Sequence, residues 1–163
     1  MPETITRPAV PEDVPEILEM IHLLADYERE PDAVKATEKG LCEHLFGETP
    51  AVFATVIPSG VTGRRLDGMA LWFLNFSTWE GTHGIYLEDL YVREDRRGEG
   101  MGRLLISTLA QICVERDYPR LEWSVLKWNE PSIAVYRKLG ARPQEEWDTY
   151  RLTGSALQAL GRS

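Results

Sequence analysis

Cysteine is nearly missing from this chain, with only Cys42 and Cys113 among 163 residues. No disulfide framework and no CxxC metal site can be read from the pair. Each lies in a helix-patterned segment, where a thiol reads as a small buried apolar side chain. Basic residues are outnumbered too: 18 Lys and Arg face 26 Asp and Glu, for a formal net charge of -8 at pH 7. That balance disfavours a nucleic-acid binder, which normally presents a basic face, and suits a cationic small substrate. Long hydrophobic runs are also lacking. The longest, Met69 to Phe76, falls far short of the roughly 20 residues needed to span a bilayer. The opening MPETITRPAVPED shows no basic region followed by an apolar one, so no secretory signal is expected. Repeats, low-complexity tracts and linker-like segments are absent as well. The expectation is a cytoplasmic protein of one domain over residues 1–163, with no membrane, nucleic-acid or metal partner. Its 43% hydrophobic residues suffice for a substantial core.

What is present is a regular alternation of patterns. Thr4 to Arg7 reads as a short strand. Val14, Ile17, Leu18, Ile21, Leu24 and Ala25 form one helical stripe, confined by Pro11 and Pro15 to a helix beginning near Asp13. After a polar break from Tyr27 to Ala33, Thr37 to Phe46 forms a weaker helix. Three strands are expected at Ala51 to Ile57, Leu66 to Asn75 and Ile85 to Val92, joined as an antiparallel meander. A helix over about Gly100 to Arg116 leads to a strand at Leu121 to Leu126, parallel to the Ile85 strand through a right-handed crossover. Asn129 caps the next helix, with Pro131 in its first turn and Gly140 as its stop. Trp147 to Leu152 reads as a last strand, and Ser155 to Leu160 as a helical turn.

The most informative stretch is EDLYVREDRRGEGMG, Glu88 to Gly102, which joins a strand to a helix through an arginine and three glycines. At a helix N-terminus the first backbone N–H groups lack partners, and the positive end of the macrodipole faces outward. Glycines let a polyphosphate come close to that backbone, and Arg97 adds a charged fork. Two other readings compete. One is a plain exposed turn, since Gly is common in turns and REDRR makes a solvated charge cluster. The other is a dinucleotide-binding turn, although the spacing is GxGxG where that fingerprint requires GxGxxG, and no βαβ unit precedes it.

The RxxGxG set of Arg97, Gly100 and Gly102, followed by NEPSIAVY from Asn129 to Tyr136, resembles the GNAT superfamily of acetyl-CoA-dependent N-acetyltransferases. YLEDLYV at Tyr86 to Val92 and WNEPSIAVYRKLGA at Trp128 to Ala141 are most similar to the spermidine/spermine, or diamine, acetyltransferases. The resemblance spans essentially the whole chain. It implies an α/β (α+β) GNAT fold: a central mixed, mostly antiparallel twisted sheet flanked by helices, with a βαβ unit that binds acetyl-CoA. It also implies a homodimer.

Acetyl transfer needs a neutral amine, yet an alkylamine with a pKa of about 10 is protonated at pH 7. By the resemblance Glu88 removes that proton, directly or through water, and Tyr136 protonates the departing thiolate. Glu88 and Asp89 are adjacent, so the alternation of a strand sends them to opposite faces and at least one toward the covered side. Read on spacing alone, Glu88 is also an ordinary solvated carboxylate and Tyr136 an ordinary half-buried aromatic. The resemblance further implies that a strand bulge near Leu90, Tyr91 and Val92 frees a backbone N–H for the reacting carbonyl oxygen. Acetyl-CoA contacts would come from Leu90, Tyr91, Val92, Arg97, Gly98, Glu99, Gly100, Met101, Gly102, Arg103, Asn129, Glu130, Pro131, Ser132 and Tyr136. Amine contacts would come from Tyr27, Glu28, Glu88, Glu122, Trp123 and Ser124, where carboxylates and an aromatic face suit an alkylammonium. Two departures, Pro31 in REPDAV and the short Pro58 to Gly63 loop, leave the amine open among polyamines, short diamines, thialysine-like amino acids and antibiotic amines. A protein acetyltransferase and a non-catalytic acyl-CoA sensor are the alternatives.

Overall fold

Residues 3–163 are described in a computed structural model of the chain, and they fall into two compact units, one ending at Ser124 and the other running Val125–Ser163. In the first, β1 (Arg7–Pro8) and a 3-10 turn at Pro11–Asp13 precede α1 (Val14–Tyr27) and α2 (Glu38–Phe46). Then come β2 (Phe53–Pro58), β3 (Leu66–Ser77), β4 (Thr82–Val92), a 3-10 turn at Glu94–Arg96, α3 (Met101–Glu115) and β5 (Leu121–Trp123). The sheet order is β1-β2-β3-β4-β5. The first four strands pair antiparallel and β5 runs parallel to β4, as the crossover rule requires.

Alternation along the strands sorts the core. Ala54, Val56, Met69 and Tyr91 pack with Ile17 and Met20 of α1 and Leu45 of α2. Gly68, next to Met69, points the other way: a Cβ there would meet Leu105 of α3 at 3.5 Å. The sheet is therefore covered by α1 and α2 on one face and α3 on the other, and the buried Leu105 and Leu109 of α3 form the second layer. Cys113, on α3, is buried, and Cys42 is half-buried.

The first strand is shorter and later than the Thr4 to Arg7 expected. The hairpin strands are longer, because β3 and β4 stay paired out to Ser77 and Thr82. Gly84 permits the neighbouring approach: a Cβ on it would lie 2.8 Å from the Arg120 carbonyl and 2.9 Å from Asn75 Oδ1. β5 stops at Trp123, short of Leu126.

The second unit contains α4 (Glu130–Lys138) and α5 (Gly154–Gly161). Asn129 sits at the N-cap of α4 but its side chain does not cap the helix, and Pro131 lies in the first turn. Gly140, at φ 92°, ends it as expected. Trp147 to Leu152, expected as a strand, is not one. The segment follows a turn closed by the Trp147 N–H donating to the Gln144 carbonyl and forms no ladder.

Candidate active site

The chain leaves β4 at Val92, makes the 3-10 turn, and enters α3 through Gly98 and Gly100, both at φ 82°. That left-handed conformation is open to glycine and strained for other residues. Gly100 is the N-cap, and no side chain caps the helix, so the first N–H groups of α3 find no partner from a cap. A Cβ added at Gly98, Gly100 or Gly102 would meet nothing within 4 Å. The first turn carries no acid. An open glycine turn with uncapped donors and a positive helix end fits a pyrophosphate.

Arg97, the expected fork, is exposed beside this turn and is held in place by its neighbours. Its Nε donates to the Val92 carbonyl at 3.1 Å. Its guanidinium carbon lies 5.6 Å from the Tyr27 ring centre and 5.4 Å from that of Tyr91. A weakly hydrated planar cation is well suited to two aromatic faces. It thus ties the first residue of the cradle to the last residue of α1. Glu99 is drawn sideways onto Arg96 at 3.1 Å, and Arg103 is exposed on α3.

The expected bulge is displaced. Leu71 pairs with Asp89 and Trp72 with Leu87, so Glu88 is the extra residue, upstream of Leu90 to Val92. Residues paired across an antiparallel ladder share a face. Leu87 therefore lies on the α3 side with Trp72, while Asp89 lies on the α1 side with Leu71 and, two residues on, Tyr91. The bulge switches which parity faces α1. As a result Asp89 is half-buried and Glu88 exposed.

Glu28, just past the end of α1, faces the same place. Burial, then Glu88 and Glu28, push the Asp89 carboxyl up to about 6. Burial and the charge of Glu88 push Glu28 up as well. Three carboxylates that feel one another's charge form a field that favours a cation. Asp89, absent from the expected contact set, is the residue that sequence reasoning underrated. The signal was its adjacency to Glu88, but its burial depends on the bulge.

β5 pairs with β4 only from Ile85/Leu121 to Leu87/Trp123. Beyond that point Leu90, Tyr91 and Val92 keep their ladder with β3 and have no β5 partner. Strands that part in this way leave backbone groups for an extended, amide-bearing ligand. Glu122 accepts from Asn75 Nδ2 at 3.3 Å, and Ser124 shares a 2.7 Å hydrogen bond with the Tyr86 hydroxyl. Both are held by the sheet. Trp123 is half-buried at the end of β5. In the second unit, Asn129 to Ser132 make the start of α4, and half-buried Tyr136 lies one turn on, its carbonyl accepting the Ala141 N–H at 3.1 Å. Among the described residues, no group of three or more His, Cys, Asp or Glu is arranged to hold a metal ion.

The model of the acetyltransferase (GNAT) family matches residues 17–141. The chain belongs to the GNAT acetyltransferase family. It is 34% identical to a thialysine N-epsilon-acetyltransferase from Sus scrofa, over 98% of each chain. It is 30% identical to an L-ornithine N5-acetyltransferase from Arabidopsis thaliana, over 96% of this chain and 87% of that one. An integron cassette protein from the mobile metagenome of V. cholerae shares the GNAT member's fold with a TM-score of 0.80 at 24% identity, over the whole of both chains. GNAT acetyltransferases use acetyl-CoA as co-substrate, and the open cradle fits its pyrophosphate.

Proposed function

We propose that this GNAT acetyltransferase moves the acetyl group of acetyl-CoA directly to the amino nitrogen of a small amine carrying a second charge. The class includes thialysine-like amino acids, ornithine-like amino acids, short diamines and polyamines. The observation that carries the reading is the junction of two sites: Arg97 of the cradle stacks on Tyr27, and Glu28, the next residue, belongs with Glu88 and Asp89. The names of the relatives, which specify the distal nitrogen of thialysine and of ornithine, support the same class.

In this reading Gly98, Gly100, Met101, Gly102 and Arg103 hold the pyrophosphate by backbone and charge, and Leu90 to Val92 hold the extended arm. Asn129 to Ser132 supply further contacts. Bound acetyl-CoA supplies the activated acetyl group. Asp89 and Glu28 hold the distal ammonium, and a carboxyl near 6 is mostly ionised at neutral pH, so it binds a cation and can accept a proton. Exposed Glu88 takes the proton from the attacking amine through water. Tyr136 serves as the proton donor to the thiolate. The family match runs across both units, which supports reading them as one catalytic domain. Homodimer assembly and a cytoplasmic location belong to the proposal as well. Among the described residues, no helix is long and apolar enough to cross a membrane.

The test is thiol release from acetyl-CoA against a panel of thialysine, ornithine, diamines, polyamines and lysine-containing peptides. The proposal expects turnover with the small dications and amino acids. Preference for peptides would replace it with protein acetylation, and tight coenzyme A binding without turnover on any amine would replace it with a sensor.

A further inference from the structure

Asp67, the second residue of β3, is a carboxylate at 1% exposure that the proposed chemistry leaves unused. Its Oδ1 accepts from Arg64 Nη2 at 2.6 Å, and its Oδ2 lies 3.6 Å from Arg96 Nε. Both arginines continue into the turn before α3. Arg64 Nη1 grips both oxygens of Asp95, at 3.1 and 3.0 Å. Arg96 Nε lies 3.1 Å from Glu99 Oε2. The Asp67 carbonyl accepts the Arg93 N–H at 2.9 Å. Arg64 thus bonds residue 95 to the Asp67 carboxylate, Arg96 and Glu99 stand beside that carboxylate as charges with Arg96 Nε making no hydrogen bond, and residue 93 is held by the Asp67 main-chain carbonyl.

The platform under Asp67 is itself fixed. Arg93 Nε donates to the Leu66 carbonyl at 2.7 Å, and its Nη2 to Glu16 at 2.8 Å. Glu16 also accepts the Arg65 and Leu66 N–H groups at 2.7 and 3.1 Å. The cradle glycines carry no side chain to pack, and nothing lies within 4 Å of a Cβ placed on Gly98 or Gly100. Glycine carries the largest backbone freedom of any residue, so donors presented by it must be ordered from outside to bind without a large entropic cost.

We propose that Asp67, through Arg64 and Arg96, is a positioning residue for acetyl-CoA: it holds the turn so that the Gly98 to Gly102 backbone presents its donors before the nucleotide arrives. The proposal rests on reading that turn as the cofactor cradle. Its role is distinct from general stabilisation because it acts on one substrate only.

The experiment compares Asp67→Asn, Arg64→Gln, the double variant and Gly100→Ala by steady-state kinetics, with direct titration of coenzyme A. Asp67→Asn and Arg64→Gln should each raise the acetyl-CoA KM and the coenzyme A dissociation constant about tenfold, with kcat and the amine KM within about twofold. The double variant should be little worse than either single one, because the two residues act as a unit. Arg64→Gln, at the partly exposed end, carries the test alone if Asp67→Asn does not fold. Lowered thermal stability with an unchanged acetyl-CoA KM, while Gly100→Ala raises that KM, would overturn the positioning role and leave the cradle standing. If Gly100→Ala also leaves coenzyme A binding unchanged, cradle and clamp fall together.

Discussion

Replacing Asp89 with Asn removes a charge that the fold holds at a cost, and the pH dependence of that change is diagnostic. The folded protein raises the Asp89 carboxyl from its ordinary 3.8 to about 6, through burial and the neighbouring Glu88 and Glu28. Between those values the folded chain keeps a proton that the unfolded chain has released. The stability tied to that proton is fully present below pH 3.8, is lost as pH rises through about 6, and stays absent above. Linkage puts the full difference at roughly 3 kcal/mol, and water around a half-buried carboxylate screens part of it, leaving about 1–2 kcal/mol to be measured. Asp89→Asn should therefore match the parent near pH 4 and exceed it by about 1–2 kcal/mol at pH 8. Urea unfolding from pH 4 to pH 8 gives the comparison. The same variant should weaken binding of a dicationic amine, since one of three carboxylates is gone. A stability gain equal at both ends of the range, or a loss at pH 8, would refute the charged-cluster reasoning.

Glu88→Gln should lower kcat by about 10²-fold with coenzyme A binding intact, because positioned proton transfer is worth about that much; an unchanged kcat removes Glu88 from the chemistry. Tyr136→Phe should likewise depress turnover by about tenfold or more and leave the coenzyme A dissociation constant within about twofold. Thiol release in single turnovers, set against titration of coenzyme A, separates the two effects. Gly84→Ala places a Cβ 2.8 Å from the Arg120 carbonyl, so strain in the β4–β5 pairing should cost about 2 kcal/mol of unfolding free energy in urea. A neutral result would show that the two strands part readily.

Local chemistry made much of this molecule legible in its sequence. The apolar stripe of α1, the β-rich runs of β2 to β4 and the glycines before α3 each carry their own conformational preference, and each forms within a few residues of where it was expected. The parts that were not legible depend on pairing. Nothing in LEDLYV says which strand residue will be the extra one. The bulge at Glu88 arises from the register of β4 on β3, and it alone decides that Asp89 turns toward α1. Arg97 looked like a phosphate fork because its neighbours are glycines. Its contact with the rings of Tyr27 and Tyr91, 70 and 6 positions earlier in the chain, could not be read there. Trp147 to Leu152 has β-forming composition, but propensity becomes a strand only where a ladder partner exists. Asp67 was unremarkable in sequence, since its partners are spread from Arg64 to Arg96.

The central claim is that a cluster of carboxylates beside the cradle selects an amine by its second charge. Steady-state thiol release from acetyl-CoA with 1,4-diaminobutane, set against 4-aminobutan-1-ol, tests it most directly, because the pair differ only in the distal group. An ammonium paired with partly buried carboxylates predicts a kcat/KM about tenfold or more in favour of the diamine, diminishing below pH 6 as Asp89 takes up its proton. Equal kcat/KM values for the two amines at pH 7 to 8, where Asp89 is ionised, would contradict the account.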